Sequence, residues 1–317
     1  MRTSEPCRLC PRACGISRAD GERGACGETA TIRLARAALH FWEEPCISGT
    51  KGSGAVFFSG CQLRCVYCQN QPIAHGDVGR EVTVSRLTDI FFELEEQGAN
   101  NINLVTPDHF IPQIAQAIRA ARARGFTLPF VYNTSSYVRV EALRELEGLI
   151  DIYLPDLKYM DEAHAREYSG APDYPQVAKA ALQEMYRQVG AVRFAEVSGE
   201  EEPMLRRGMV VRHLLLPGAL ADAKRIVAYL YDTYGDDIYI SLMSQYTPGK
   251  AVEQHPVLHR RVRRKDYDAL VDEAIRRGVE NAFIQEGSAA EIRLWSKKVK
   301  RFRISVARQN RLNATPE

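Results

Sequence analysis

Three cysteines, Cys61, Cys65 and Cys68, lie close together in the stretch GCQLRCVYCQN. Their spacing is C-x3-C-x2-C, and a strand-like apolar run at residues 55–58 comes directly before them. Three thiolates on one short loop can bind three irons of a 4Fe–4S cluster and leave the fourth iron open to a small molecule. Zinc binding and inert buried thiols are the alternatives. A structural zinc site needs a fourth ligand, and the residues just after the loop offer only His75, so the spacing favours the cluster.

Apolar strand patterns alternate with helical patterns from residue 54 onward. The predicted strands are 54–59, 101–106, 130–133, 150–154, 209–216, 238–243 and 281–284. The predicted helices lie near 85–97, 114–121, 140–146, 175–189, 226–230 and 270–274, where apolar residues recur every three or four positions. Repeated βα units imply a parallel sheet with helices outside it. Six such units predict an α/β fold, a partial (βα)6 barrel similar to a TIM barrel, with its active site at the carboxyl ends of the strands.

Short polar and charged residues stand at the carboxyl ends of the predicted strands. The candidates for binding a cofactor there are Thr106, Asn133, Ser135, Asp156, Lys158 and Arg212, together with Tyr67 in the cysteine loop. Alternate residues of a strand share one face, so Asp156 and Lys158 can both reach inward. Asp108 and His109 follow the second strand and are weaker candidates. Each residue alone could be an ordinary polar loop residue, but together they predict a pocket.

A second group of four cysteines occupies the first thirty residues, which contain few large apolar side chains. Cys7, Cys10, Cys14 and Cys26 follow the pattern C-x2-C-x3-C-x11-C. A segment with so small a core needs a staple, and four thiolates around one metal centre would supply it. Zinc and an auxiliary iron–sulfur cluster are both open, with zinc slightly favoured because the segment is small and loop-like. Four free thiols are not favoured.

The residues between this segment and the first strand of the barrel read as a linker. Cys46 is the one cysteine left over, and we expect it to be a small buried apolar residue. His40, Glu43 and Glu44 could line a pocket. Solvent-exposed loop carboxylates are more common, and that is the expectation for these residues.

The cysteine loop resembles the cluster-binding loop of the radical S-adenosylmethionine (SAM) superfamily, including the aromatic Tyr67 beside the last cysteine. The closest likeness is to the homologues of pyruvate formate-lyase activating enzyme. It rests on motifs that span most of the chain to about residue 250: CRLCPRACG at 7–15, EEPCISG at 43–49, GSG at 52–54, NLVTP at 103–107, RQVG at 187–190 and RHLLLPG at 212–218. The sequence departs from the superfamily at the second strand, where Thr106-Pro107-Asp108-His109 replaces a Gly-Gly-Glu type turn.

This resemblance implies a mechanism and a set of partners. The open iron would chelate the amino and carboxylate groups of SAM, and an electron would break the sulfonium C–S bond. The resulting 5′-deoxyadenosyl radical would take a hydrogen atom from a substrate. In activating enzymes that atom is a glycine Hα of a partner protein, and their Asp-x-Lys resembles Asp156-Leu157-Lys158. A flavodoxin, ferredoxin or reductase would donate the electron. Action on a small molecule or RNA, and a non-catalytic metal-binding module, are the alternatives.

Composition limits the remaining possibilities. The 317 residues suit one barrel with a small extension, which we divide into 1–50 (extension and linker), 51–287 (barrel) and 288–317 (tail). No apolar run reaches the length of a membrane span and no signal peptide is evident, so we expect a cytoplasmic protein. The tail has eight basic and two acidic residues. We expect it to aid solubility rather than bind a partner, and nucleic acid binding is not favoured because the tail has few aromatic residues.

Overall fold

The computed structural model describes residues 6–285 and 292–295. This part of the chain contains eleven strands: β1 Ile32–His40, β2 Ser53–Phe58, β3 Arg80–Val82, β4 Ile102–Val105, β5 Phe130–Thr134, β6 Ile152–Pro155, β7 Arg193–Ala195, β8 Met204–Leu214, β9 Tyr239–Met243, β10 Ala282–Gln285 and β11 Ile292–Trp295. The α-helices are α1 Pro45–Ser48, α2 Gln71–Ala74, α3 Val84–Glu96, α4 Ile111–Ala123, α5 Val140–Arg144, α6 Glu162–Ser169, α7 Tyr174–Val189, α8 Leu220–Tyr234 and α9 Arg264–Arg277.

One sheet connects these strands in the order β3-β1-β2-β4-β5-β6-β8-β9-β10-β11, with β7 paired to β8. The strands from β2 to β10 along this order are parallel, whereas β1 runs antiparallel to β2 and β11 antiparallel to β10. Helices follow β2, β4, β5, β6, β8 and β9, as predicted for six βα units. The molecule is therefore an α/β protein with the mostly parallel sheet of a partial barrel.

The burial patterns of these segments match their strand and helix conformations. Every residue of β5 and β6 is buried, as expected for strands that are covered on both faces. Helix α3 buries Leu87, Phe91 and Leu94 along one stripe, and the side chain of Thr83 caps its first turn by accepting a hydrogen bond from the Arg86 N–H. Parallel strands in one sheet bring their carboxyl ends to the same edge, so the loops after β2, β4, β5 and β6 meet there.

The stretch predicted to be a linker, which forms β1 and α1, belongs to the barrel. Strand β1 pairs with β2 along most of its length. Helix α1 then turns under the sheet, where its Cys46 and Ile47 are buried in one apolar cluster with inward-facing residues of β5, β6, β8 and β10. Cys46 is a buried apolar residue, as expected. Helix α1 therefore closes one end of the barrel.

Two further predictions concern the whole chain. The basic tail at 288–317 lies outside the described residues, apart from the backbone of the four residues of β11. None of the helices within the described ranges has the length and apolar character needed to cross a membrane.

Candidate active site

Ten of the predicted site residues line one cavity of about 860 Å³, and the four N-terminal cysteines lie outside it. Its lining includes the three loop cysteines and all seven residues that the sequence analysis selected for cofactor binding: Cys61, Cys65, Cys68, Tyr67, Thr106, Asn133, Ser135, Asp156, Lys158 and Arg212. The cysteine loop directly follows β2, and the other residues lie at or near the carboxyl ends of β4, β5, β6 and β8. The topology thus brings these residues to one place.

The cysteine loop is shaped by local hydrogen bonds. The Cys68 N–H donates to the Cys65 carbonyl at 3.0 Å, and the Ser169 hydroxyl lies 3.1 Å from the Cys65 sulfur. Burial raises the pKa of the Cys61 thiol to about 12, so a metal must displace its proton on binding. Three soft sulfurs on the wall of one cavity can bind three irons of a 4Fe–4S cluster. Within the described ranges, no three His, Cys, Asp or Glu side chains are gathered as the ligands of a single metal ion.

Strained backbone marks the same edge of the sheet. Arg64 in the cysteine loop, Thr106 after β4 and Ser136 after β5 have φ values of 48°, 56° and 63°. Left-handed conformations cost free energy in residues other than glycine and are concentrated at functional sites. The Thr106 N–H donates to the Asn133 carbonyl at 2.9 Å, which ties the ends of β4 and β5 together.

Arg212 is the centre of a charged network on the cavity wall. Its guanidinium donates to Asp156 at 3.1 Å, to Glu43 at 3.0 Å and to the Asn133 side-chain oxygen at 2.6 Å. Lys158 forms a second ion pair with Asp156 at 2.6 Å. Burial raises the pKa of Asp156, but the Lys158 and Arg212 cations outweigh it and the pKa is lowered overall. Asp156 therefore stays ionised inside the cavity wall.

Asp108 is buried behind the cavity instead of facing it. Its carboxylate accepts hydrogen bonds from Gln62 at 2.7 Å, Thr134 at 2.7 Å and Tyr132 at 3.0 Å. Since Gln62 directly follows Cys61, this carboxylate joins the cysteine loop to β5. Asp108 is thus a positioning residue for the loop, and its candidacy for binding the SAM amino group finds no support in its location.

His109 is likewise part of the core. Its Nε2 lies 2.6 Å from the Ser59 carbonyl, just before the cysteine loop. Burial lowers the pKa of His109 to about 3, so the ring is neutral. A neutral ring that meets a carbonyl must carry its proton on Nε2 and donate it. His109 therefore supports the end of β2.

Three residues that we expected in a solvent-exposed loop belong to the cavity wall, so that expectation is wrong. His40, Glu43 and Glu44 all line the cavity, because β1 returns along β2 and α1 turns beneath the sheet. Glu44 is only 3% exposed. The signal that could have identified them is the pair of carboxylates placed between an apolar strand and a buried helix.

The N-terminal cysteine segment packs against the back of the cysteine loop. The Cys61 N–H donates to the Cys26 carbonyl at 3.2 Å, and Arg12 donates to the Gln62 carbonyl at 3.0 Å. Two of the thiols lie against Gly24, since a β-carbon there would be 3.3 Å from the Cys14 sulfur and 3.5 Å from the Cys26 sulfur. These contacts bring the two groups of cysteines into one structural unit.

The four N-terminal thiols are close enough to influence one another. Burial raises the pKa of Cys10 to about 11, and the thiols of Cys7, Cys14 and Cys26 contribute to the increase. Within the described ranges no three of these thiols are gathered as the ligands of a single metal ion, so the N-terminal metal centre stays a prediction.

Comparisons with known proteins agree with the resemblance that the cysteine loop indicates. A family model described as the radical SAM superfamily matches residues 55–189. An uncharacterized protein of Methanocaldococcus jannaschii is 22% identical over 273 residues, which are 84% of this chain and 73% of that protein.

Two solved structures match part of this chain. Streptococcus suis SuiB bound to S-adenosylmethionine is 12% identical, with a TM-score of 0.47 over 72% of this chain and 48% of SuiB. This chain thus matches about half the length of SuiB. A domain of pyruvate-formate lyase-activating enzyme from Bacteroides vulgatus is 13% identical, with a TM-score of 0.38 over 56% of this chain and 91% of that domain. The matched residues 55–189 contain the cysteine loop, so this part of the chain is similar to the radical SAM superfamily.

Proposed function

We propose that this chain is an enzyme that cleaves SAM reductively and removes a hydrogen atom from a substrate. The observation that carries the proposal is the shared cavity, which the three loop cysteines, Tyr67 and six strand-end residues all line. Cys61, Cys65 and Cys68 would hold a 4Fe–4S cluster. When bound, the cluster supplies the electron that breaks the sulfonium C–S bond of SAM.

The chain's own residues would bind and orient SAM. The buried Ser135 hydroxyl oxygen has no hydrogen-bond partner and belongs to a residue of the cavity wall, so it can serve a polar group of the ligand. Asn133 and Thr106 stand beside it at the strand ends. Asp156 and Lys158 form a fixed pair of charges near the cysteine loop, where they can meet the amino and carboxylate groups of an amino acid.

The first candidate for the hydrogen donor is a glycine of a partner protein that becomes a glycyl radical. The motif resemblance supports it, because Asp156-Leu157-Lys158 stands where activating enzymes have Asp-x-Lys. A flavodoxin or ferredoxin would reduce the cluster. The second candidate is a small molecule, and the charged cavity wall that includes Glu43 and Glu44 favours it.

The N-terminal cysteines would form a separate metal centre that holds their segment against the cysteine loop. Its support is that the sulfurs of Cys14 and Cys26 both lie beside Gly24, within 3.3 and 3.5 Å of the position a β-carbon would take there. The metal would be zinc or an iron–sulfur cluster. Replacing Cys7 and Cys10 by alanine should remove this metal and leave the cluster at Cys61 in place. Metal analysis for zinc and iron checks this, and unchanged contents of both metals would contradict it.

The decisive test uses Cys65→Ala, with Cys46→Ala as the matched control. Both cysteines are buried, but only Cys65 belongs to the cavity lining. After anaerobic reconstitution with iron and sulfide, the wild type and the control should convert SAM to 5′-deoxyadenosine when dithionite supplies the electron. Cys65→Ala should not. Wild-type rates in Cys65→Ala would refute the proposal. So would a wild-type cluster whose EPR spectrum does not change when SAM is added.

A further inference from the structure

The end of the cavity that lies over α1 is held rigidly. The apolar side of α1 packs against the inward faces of four strands. The side-chain amides of Asn100 and Asn101 donate to the carbonyls of Ser48 and Ile47, at 2.9 and 2.7 Å. The two residues just before α1, Glu43 and Glu44, therefore have fixed positions on the cavity wall. We call this wall the acidic floor.

The two carboxylates of the acidic floor differ in how well they are paired. Glu43 accepts hydrogen bonds from Arg212 at 3.0 Å and from Asn103 at 2.8 Å. Ser241 donates a hydrogen bond to Glu44, and burial raises the pKa of this carboxyl group, yet its Oε2 is buried without any hydrogen-bond partner. A buried carboxylate oxygen that lacks a donor is costly, so its retention on a cavity wall points to a donor that arrives with a ligand.

The neighbouring cations are already shared among other acidic groups. Arg212 bonds to Glu43 and Asp156, and Lys158 bonds to Asp156. Once these ion pairs are counted, Oε2 of Glu44 is the carboxylate oxygen of the acidic floor that has no partner. Hydrogen bonds between a carboxylate and a cationic donor are about twice as strong as those between neutral groups. A protonated amine or a guanidinium therefore suits this oxygen better than a hydroxyl does.

We propose that Glu44 binds a primary amine or guanidine group of the substrate at the acidic floor. This inference rests on the proposed function, in which SAM occupies the part of the cavity beside the cysteine loop. SAM and an amine-bearing substrate would then lie in the same cavity, with the substrate held at its charged end. The amine could belong to a free small molecule or to a lysine or arginine side chain of a partner.

The test measures binding of small probes to the reconstituted holoenzyme with SAM and without dithionite. The probes are propylamine and propylguanidine, and the matched controls are 1-propanol and propionate. Ligand-observed NMR gives each dissociation constant. The wild type should bind the two cationic probes about tenfold or more tightly than 1-propanol, which corresponds to one charged hydrogen bond. Equal binding of the cationic probes and 1-propanol would overturn the proposal.

Variants assign the binding to one carboxylate. Glu44→Gln should weaken propylamine binding about tenfold and leave 1-propanol binding unchanged. The control Glu96→Gln changes an exposed glutamate at the end of α3 and should bind the probes as the wild type does. Unchanged propylamine binding in Glu44→Gln would refute the role of Glu44. Glu44→Asp keeps the charge and should retain part of the affinity, so it tests the same point if Glu44→Gln folds poorly.

Two further measurements separate this proposal from the proposed function and identify the source of the amine. Probe binding requires no catalysis, so a wild type that binds propylamine and never forms 5′-deoxyadenosine would refute only the proposed reaction. A glycine-rich decapeptide with a single lysine provides the second arm. Binding of both the peptide and 1,4-diaminobutane supports a partner's side chain, and binding of 1,4-diaminobutane alone supports a small molecule. Binding of neither overturns the amine site.

Discussion

Replacing Arg212 by methionine should destabilise the protein, because it removes the cation that two carboxylates of the cavity wall share. Methionine preserves most of the apolar stem but donates no hydrogen bonds. Removing one partner of a buried ion pair typically costs about 3–5 kcal/mol. Asp156 keeps its bond to Lys158 at 2.6 Å, so Glu43 is the group that loses its cation. Since the network also faces a cavity that admits water, we expect a loss of about 2–3 kcal/mol at pH 7.

The pH dependence of this loss gives a second check. The pKa of Asp156 is lowered in the folded protein, where Lys158 and Arg212 outweigh the effect of burial. A lowered folded-state pKa stabilises the protein above the unfolded pKa, which is about 3.9, and the stabilisation disappears as the pH falls through the folded value. The difference between the wild type and Arg212→Met should therefore be constant from pH 8 to about pH 5 and shrink below about pH 4.

Urea unfolding followed by far-UV circular dichroism measures the difference. The matched control is Arg86→Met on the surface of α3, where the ion pair with Glu93 is half exposed and should contribute little. The reasoning is refuted if Arg212→Met unfolds at the same urea concentration as the control. It is also refuted if the difference persists unchanged well below the ordinary carboxyl pKa.

Three other substitutions test the supports of the site. Asp108→Asn should lower the free energy of unfolding by about 1–3 kcal/mol, because the amide nitrogen cannot accept the hydrogen bonds that reach this buried carboxylate. It should also lower the iron content, and urea unfolding and iron analysis measure the two effects. Gly60→Ala should expose the N-terminal segment to limited trypsin digestion, since Gly60 has φ +82° and a β-carbon would lie 2.7 Å from the Cys26 carbonyl; a wild-type digestion pattern would contradict this. Cys46→Ser should cost about 1–3 kcal/mol by burying a hydroxyl in an apolar cluster, with no loss of iron; lost iron would mean that Cys46 has a role beyond packing.

The order of strands and helices could be predicted from the sequence because it depends on local patterns. The apolar stripe of α3 repeats at the helical period, and the inner strands are short, largely apolar runs. Once the βα order is known, a general rule brings the carboxyl ends of parallel strands together. That rule was sufficient to place Thr106, Asn133 and Asp156 beside the cysteine loop, and all three line the cavity.

Only the tertiary structure decided the identity of the acidic floor and the role of the segment before the barrel. No periodic pattern shows that β1 folds back along β2, because that pairing spans an intervening helix. Nor does one show that α1 enters the end of the barrel, because α1 packs on strands more than fifty residues away in sequence. The same limitation applies to Asp108, whose type suggested a ligand contact but whose burial makes it a support for the loop. Residue type and spacing determined the chemistry of the cysteine loop, whereas burial and partners, which arise only from packing, decided what Glu44 and Asp108 contact.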